Sequence, residues 1–230
     1  MRICGLQKLA MVDFPGKVAA TVFTGGCNLR CPFCHNALLV TRLEESPAME
    51  ESEILDFLKK RKGLLDGVVL SGGEPLLQSG MVDFLRKVRE LGYAIKVDTN
   101  GCYPAVLREI LAEGLVDYVA MDIKNSREKY AETCGLSAMN LSPVEESIRL
   151  LRESGVEYEF RTTLVRELHT IQDMEAIGRW LGEVPRYYLQ QFVDSGNLVN
   201  SGFTAFEAEE MAEMAAVLRS YVTNVDLRGV

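Results

Sequence analysis

Three cysteines fall within eight residues, in the run Thr24-Gly25-Gly26-Cys27-Asn28-Leu29-Arg30-Cys31-Pro32-Phe33-Cys34-His35-Asn36. Thiolates spaced this way in one short loop can hold three corners of an iron–sulfur cubane, and the neighbouring glycines let backbone come close to the sulfurs. Three protein ligands leave one iron open, and an open metal position binds a ligand or does chemistry. The same loop could instead carry structural zinc, with His35 or another cysteine as fourth ligand. A closed zinc ribbon, however, wants a second Cys-x-x-Cys pair, and the chain has none.

Further polar residues stand out against apolar runs. Val68-Val69-Leu70-Ser71 leads into Gly72-Gly73-Glu74-Pro75, where two glycines would let an ammonium group reach backbone carbonyls and Glu74 offers a counter-charge. Asp98-Thr99-Asn100-Gly101 and Asp122-Ile123-Lys124 close two more apolar runs. Two carboxylates facing one pocket repel unless a cation or lysine intervenes. Arg161, in Glu159-Phe160-Arg161-Thr162-Thr163, could grip a carboxylate with two parallel bonds or form an ordinary ion pair. Of Gln190 and Gln191, strand alternation points only one inward, and the sequence leaves open which; Gln190 is carried as the candidate.

The elements that must position these residues alternate. Strands are predicted over 17–24, 66–70, 93–97, 117–123, 157–165 and 187–192, with a short one over 224–227. Helices are predicted over 51–62, 79–91, 103–112, 142–154, 170–181 and 204–221, several bounded by acidic starts, basic ends or a closing glycine. Ser142-Pro143-Val144-Glu145 is a capping-box start, and Thr204-Ala205-Phe206-Glu207 reads as another. Strands separated by helices run parallel through right-handed crossovers. A full eight-unit barrel takes about 250 residues, so six units predict an α/β, incomplete (β/α)6 TIM-like barrel, with residues 1–230 as one domain. Its chemistry belongs at the carboxyl ends of the strands, where the unusual residues fall.

The Cys-x-x-x-Cys-x-x-Cys spacing of Cys27, Cys31 and Cys34, with Phe33 before the third cysteine, and the Gly72-Gly73-Glu74-Pro75 turn resemble the radical S-adenosylmethionine superfamily. Asp13-Phe14-Pro15-Gly16-Lys17, Cys34-His35-Asn36, Asp98-Thr99-Asn100-Gly101 and Asp122-Ile123-Lys124 resemble the glycyl-radical-enzyme activases, nearest to those serving anaerobic ribonucleoside-triphosphate reductase. The resemblance spans nearly the whole chain and implies a radical SAM core in which Cys27, Cys31 and Cys34 bind one 4Fe–4S cluster. It implies S-adenosylmethionine contacts from Phe33, Gly72, Gly73, Glu74, Asp98, Asp122, Lys124, Arg161 and Gln190, with Asp98 and Lys124 near the reacting centre. A monovalent cation between the carboxylates is a further option. The implied partners are a glycyl radical enzyme and an external electron donor such as flavodoxin or ferredoxin, since no second cysteine cluster offers another redox centre.

The remaining cysteines and histidines read more plainly. Cys102 follows the third strand and could face the pocket in a redox role, but reads first as a small buried thiol; Cys4 and Cys134 have no assignable partner; His35 and His169 read as local structure, and Trp180, Met211 and Met214 as core. The net charge of −8 and pI near 5.0 disfavour a nucleic-acid partner. No apolar run reaches 18 residues and no leader is evident, so the expectation is a cytoplasmic protein. Two other readings stay open: a radical enzyme acting on a small molecule or nucleoside, and a non-catalytic zinc-binding α/β module.

Overall fold

The computed structural model describes residues 1–230. In chain order the elements are β1 (Ile3–Ala10), β2 (Ala19–Thr24), α1 (Ala37–Val40), α2 (Glu51–Lys60), β3 (Gly67–Gly72), α3 (Met81–Glu90), β4 (Ala94–Thr99) and α4 (Pro104–Ala112). There follow β5 (Tyr118–Asp122), α5 (Tyr130–Thr133), α6 (Ser142–Ser154), β6 (Glu157–Leu164), α7 (Ile171–Leu181), β7 (Tyr187–Gln191), α8 (Ala208–Leu218) and β8 (Val225–Arg228). The strands form one open eight-stranded sheet in chain order, with β1 and β8 as its ends. This is the parallel α/β architecture expected of an incomplete barrel: β2 to β7 are the strands of the six predicted units, β8 is the short strand predicted over 224–227, and only β1, antiparallel to β2, is added. No helix is long and apolar enough to cross a membrane.

The chain divides into two compact units. The first comprises Met1–Asn28, Leu38–Ala120 and Ser142–Glu157; the second comprises Leu29–Ala37, Met121–Leu141 and Tyr158–Val230.

In the first unit β1 runs antiparallel to β2, and β2, β3 and β4 run parallel, with Ala19, Gly67 and Ala94 in register. Ala20, Val22, Val68, Val69, Leu70, Ile95 and Val97 are all fully buried, as strands covered on both faces must be. β1 escaped the sequence reading because its apolar alternation is broken by two register shifts and Leu9 is exposed. Helix α3 buries Met81, Phe84, Leu85 and Val88, one stripe at helical spacing. Helix α2 starts with a capping box between Glu50 and Glu53 and ends in Lys59 and Lys60.

In the second unit β6, β7 and β8 run parallel, and α7 packs on α8. Thr170 and Asp173 form the capping box of α7. The start predicted at Thr204 is corrected: α8 is capped by Glu207 with Glu210, because Thr204 is tied to Glu167 through its amide (3.0 Å) and hydroxyl (2.6 Å). Met211 and Met214 are core as expected. Trp180 is half-buried, edge-on to Tyr130.

Candidate active site

In the first unit the ends of β2 and β3 meet through backbone. Gly73 N–H donates to the Thr24 carbonyl and Glu74 N–H to the Gly26 carbonyl, both at 2.8 Å. A Cβ on Gly73 would lie 2.1 Å from the Gly26 oxygen, and one on Gly72 would lie 2.4 Å from Thr24 backbone. These glycines therefore allow β3 to close against the start of the cysteine loop.

Glu74 is 1% exposed. Its carboxylate accepts from Leu76 N–H (3.0 Å), Thr99 Oγ1–H (2.7 Å) and Asn100 N–H (2.7 Å). That makes it a brace between β3 and the end of β4, a role the sequence reading, which offered it as a counter-charge, did not foresee. Asn100 is buried, and its side chain reaches Cys27 Sγ (3.8 Å) and Asn28 Oδ1 (2.8 Å). Asp98 accepts from Ser71 Oγ–H at 3.0 Å and pairs with Lys96, which is 2% exposed.

The second unit holds Cys31 and Cys34, closed into a turn by Cys34 N–H to the Cys31 carbonyl at 3.1 Å. Residues 199 and 200 run beside this turn: Val199 N–H donates to the Cys34 carbonyl and Asn200 N–H to the Pro32 carbonyl. Phe33 is buried, its ring edge-on to Phe203 at 6.5 Å. Cys134 is buried behind the loop, and its carbonyl accepts from Arg30 N–H at 3.0 Å. Gly135 follows with φ +70°, and a Cβ there would lie 2.1 Å from the Arg30 oxygen. A hydrogen bond from the Cys134 thiol, helped by nearby Lys124, pulls Cys31 down to about 7 against the opposing push of burial. Burial pushes the Cys34 thiol up.

Asp122, at the end of β5, accepts from Arg161 Nε at 2.8 Å and from Lys124 Nζ at 2.9 Å. Burial alone would raise its carboxyl; the two cations outweigh that and hold it well below the usual range. Each of the two aspartates thus has protein cations of its own, Lys96 for Asp98 and Lys124 with Arg161 for Asp122. Arg161 makes the ion pair that was one of its two readings.

Strand register orders the last residues. Arg161 pairs with Tyr188 and Thr163 with Gln190, whereas Gln191 pairs with the buried Leu164. Gln190 thus shares the Arg161 face, and Gln191 turns away to donate to the Phe206 carbonyl at 2.9 Å. Buried His169 clips the unit together, its Nδ1 accepting from Val165 N–H (3.1 Å) and its Nε2 bonded to the Lys124 carbonyl (2.9 Å). Exposed His35 makes no such clip.

Lys96, Asn100 and Cys134 were not singled out from the sequence. Only Asn100 carried a signal, its place in the Asp98–Gly101 motif.

A family model described as the radical SAM superfamily matches residues 21–181 of this chain, from β2 through α7. The chain belongs to the radical SAM superfamily. Radical SAM enzymes use a 4Fe–4S cluster and S-adenosylmethionine, and that membership removes the zinc-module reading. The donor chemistry fits: all six cysteines are free thiols, and soft thiolates are the ligands iron–sulfur clusters take.

A relative in Methanocaldococcus jannaschii, described as a candidate glycyl-radical enzyme activating enzyme, is 32% identical over 99% of this chain and 96% of its own length. The pyruvate formate-lyase-activating enzyme of Clostridium pasteurianum is 35% identical over 54% of this chain and 52% of its own, so the match spans about half of that protein. Among solved structures, SuiB of Streptococcus suis bound to the precursor peptide SuiA superposes with a TM-score of 0.70 at 14% identity, over 91% of this chain and 48% of that one. That likeness is one of fold.

Proposed function

We propose that this radical SAM enzyme is a glycyl-radical-enzyme activase acting as a single domain, its cluster held by Cys27, Cys31 and Cys34. The observation that carries this reading is the near end-to-end similarity to the M. jannaschii protein, which extends beyond the stretch matched by the superfamily model. The cluster that these residues would hold would supply the electron for reductive cleavage of S-adenosylmethionine at its S–C5′ bond. The hydrogen abstracted by that chemistry would come from a glycine Cα of the partner.

The chain's own residues bind and orient. Backbone carbonyls at Gly72 and Gly73 receive the methionine ammonium, and Glu74 keeps that turn in place. Arg161 and Lys124, shared with Asp122, present positive charge to the methionine carboxylate. Asp98 lies at the end of β4 for the ribose or ammonium side, and Gln190 on the Arg161 face for the adenosine. Phe33, buried against Phe203, fixes the turn that carries Cys31 and Cys34. Orientation of the sulfur is what these contacts contribute to rate.

The partner we favour is anaerobic ribonucleoside-triphosphate reductase, with electrons from a flavodoxin or ferredoxin in the cytoplasm. The test is anaerobic incubation of the reconstituted chain with reductant, S-adenosylmethionine and either that reductase or pyruvate formate-lyase. A glycyl radical doublet in the EPR spectrum of the reductase arm is expected. A doublet with pyruvate formate-lyase alone would move the partner. 5′-Deoxyadenosine without a doublet in either arm would favour a small-molecule or nucleoside substrate.

A further inference from the structure

Asn100 sits at the end of β4 with every polar atom of its side chain assigned. Its Oδ1 accepts from Cys102 N–H at 3.0 Å, so the amide oxygen must face Cys102 and the NH2 group must face the other way. That NH2 group has two hydrogens and two acceptors, Asn28 Oδ1 at 2.8 Å and Cys27 Sγ at 3.8 Å. The backbone is fixed as well: Asn100 N–H donates to Glu74 at 2.7 Å, and the next carbonyl, of Gly101, accepts from the hydroxyl of buried Ser147 at 2.8 Å. The donor is therefore pre-aimed at the sulfur from a rigid mount at 5% exposure.

We infer that Asn100 is a positioning residue for Cys27: its amide N–H holds the sulfur in place and sets the reduction potential of the cluster that Cys27 ligates. The inference rests on Cys27 being a cluster ligand. Reduction adds negative charge that spreads onto the ligand sulfurs, and an N–H aimed at a sulfur stabilises the reduced form more than the oxidised one. The bond to Asn28 Oδ1 prevents the amide from swinging away, so the donor is present in both oxidation states without reorganisation.

The test is the midpoint potential, followed by EPR of the reduced cluster during an anaerobic dithionite titration of the reconstituted protein. Asn100→Asp keeps the side-chain shape and the acceptor for Cys102 N–H, and exchanges the NH2 donor for a carboxylate oxygen. Asn100→Ala removes the group altogether. Both variants are expected to titrate at more negative potential than the parent, Asn100→Asp further than Asn100→Ala because it adds a charge. Should Asn100→Ala prove too unstable to hold a cluster, Asn100→Asp carries the comparison. A midpoint for Asn100→Asp equal to that of the parent would overturn the inference. A Cys27→Ala variant that kept a full cluster would instead remove the ligand assignment beneath it.

Discussion

At the scale of single residues, buried charge decides most of what the site does. Glu74 has no water to fall back on, and three protein donors meet its two oxygens. Glu74→Gln replaces one oxygen by an NH2 group facing those donors, and should cost about 1–3 kcal/mol, read as a lower urea midpoint at unchanged slope. Asp122 is a second case, with a sign that can be checked. Its carboxyl is held below the value it has in an unfolded chain, near 3.9, so the native state binds fewer protons. The stability it contributes is present above that pH and is lost as pH falls through it toward the folded value. Asp122→Asn should flatten this acid limb in urea melts below about pH 4, and at neutral pH should cost up to about 3 kcal/mol by leaving Lys124 and Arg161 unpaired. Cys27, Cys31, Cys34, Asp98 and Asp122 could be put forward from the sequence because each lies in a short local motif. The partners Lys96 and Cys134 were not, since burial and tertiary packing, absent from spacing rules, bring them there.

At the scale of elements, the long helices and the edge strand β8 were legible, whereas the edge strand β1 and the one-turn helices α1 and α5 were not. The α3 stripe and the acidic-to-basic polarity of α2 are properties of a dozen consecutive residues, and the structure keeps them. β1 depends on its partner β2 for both pairing and register, so its own eight residues carry little signal. The start of α8 moved for a similar reason, since Glu167 from a distant loop competes for Thr204. Register also separated Gln190 from Gln191, which no single-strand pattern could do. The close approach of β3 to the cysteine loop yields a direct expectation. Gly73→Ala puts a methyl against the Gly26 carbonyl, backbone on both sides, and should cost about 3 kcal/mol, the upper end for overpacking. Iron uptake should fall with it while the far-UV circular dichroism retains its helical signal.

At the scale of the whole molecule, the alternation of strands and helices was enough to give the fold class, because a parallel sheet leaves few other topologies. Residue types at the carboxyl ends of the strands suggested the chemistry, and the family match from residue 21 to 181 covers all of those positions except Gln190 on β7. Half of the cysteines lie in the loop and the other three, Cys4, Cys102 and Cys134, are scattered along the chain. One cluster should therefore form, giving about four irons and four sulfides per chain on anaerobic reconstitution; a value near eight would show a second. The central claim is that three loop thiolates leave one iron for S-adenosylmethionine. Its most direct test is 5′-deoxyadenosine formed by the reconstituted chain with reductant and S-adenosylmethionine, compared with Cys27→Ala, Cys31→Ala and Cys34→Ala. Product from the parent and none from any of the three variants is expected; product from a variant at the parent's level, or none from the parent with its cluster intact, would contradict it.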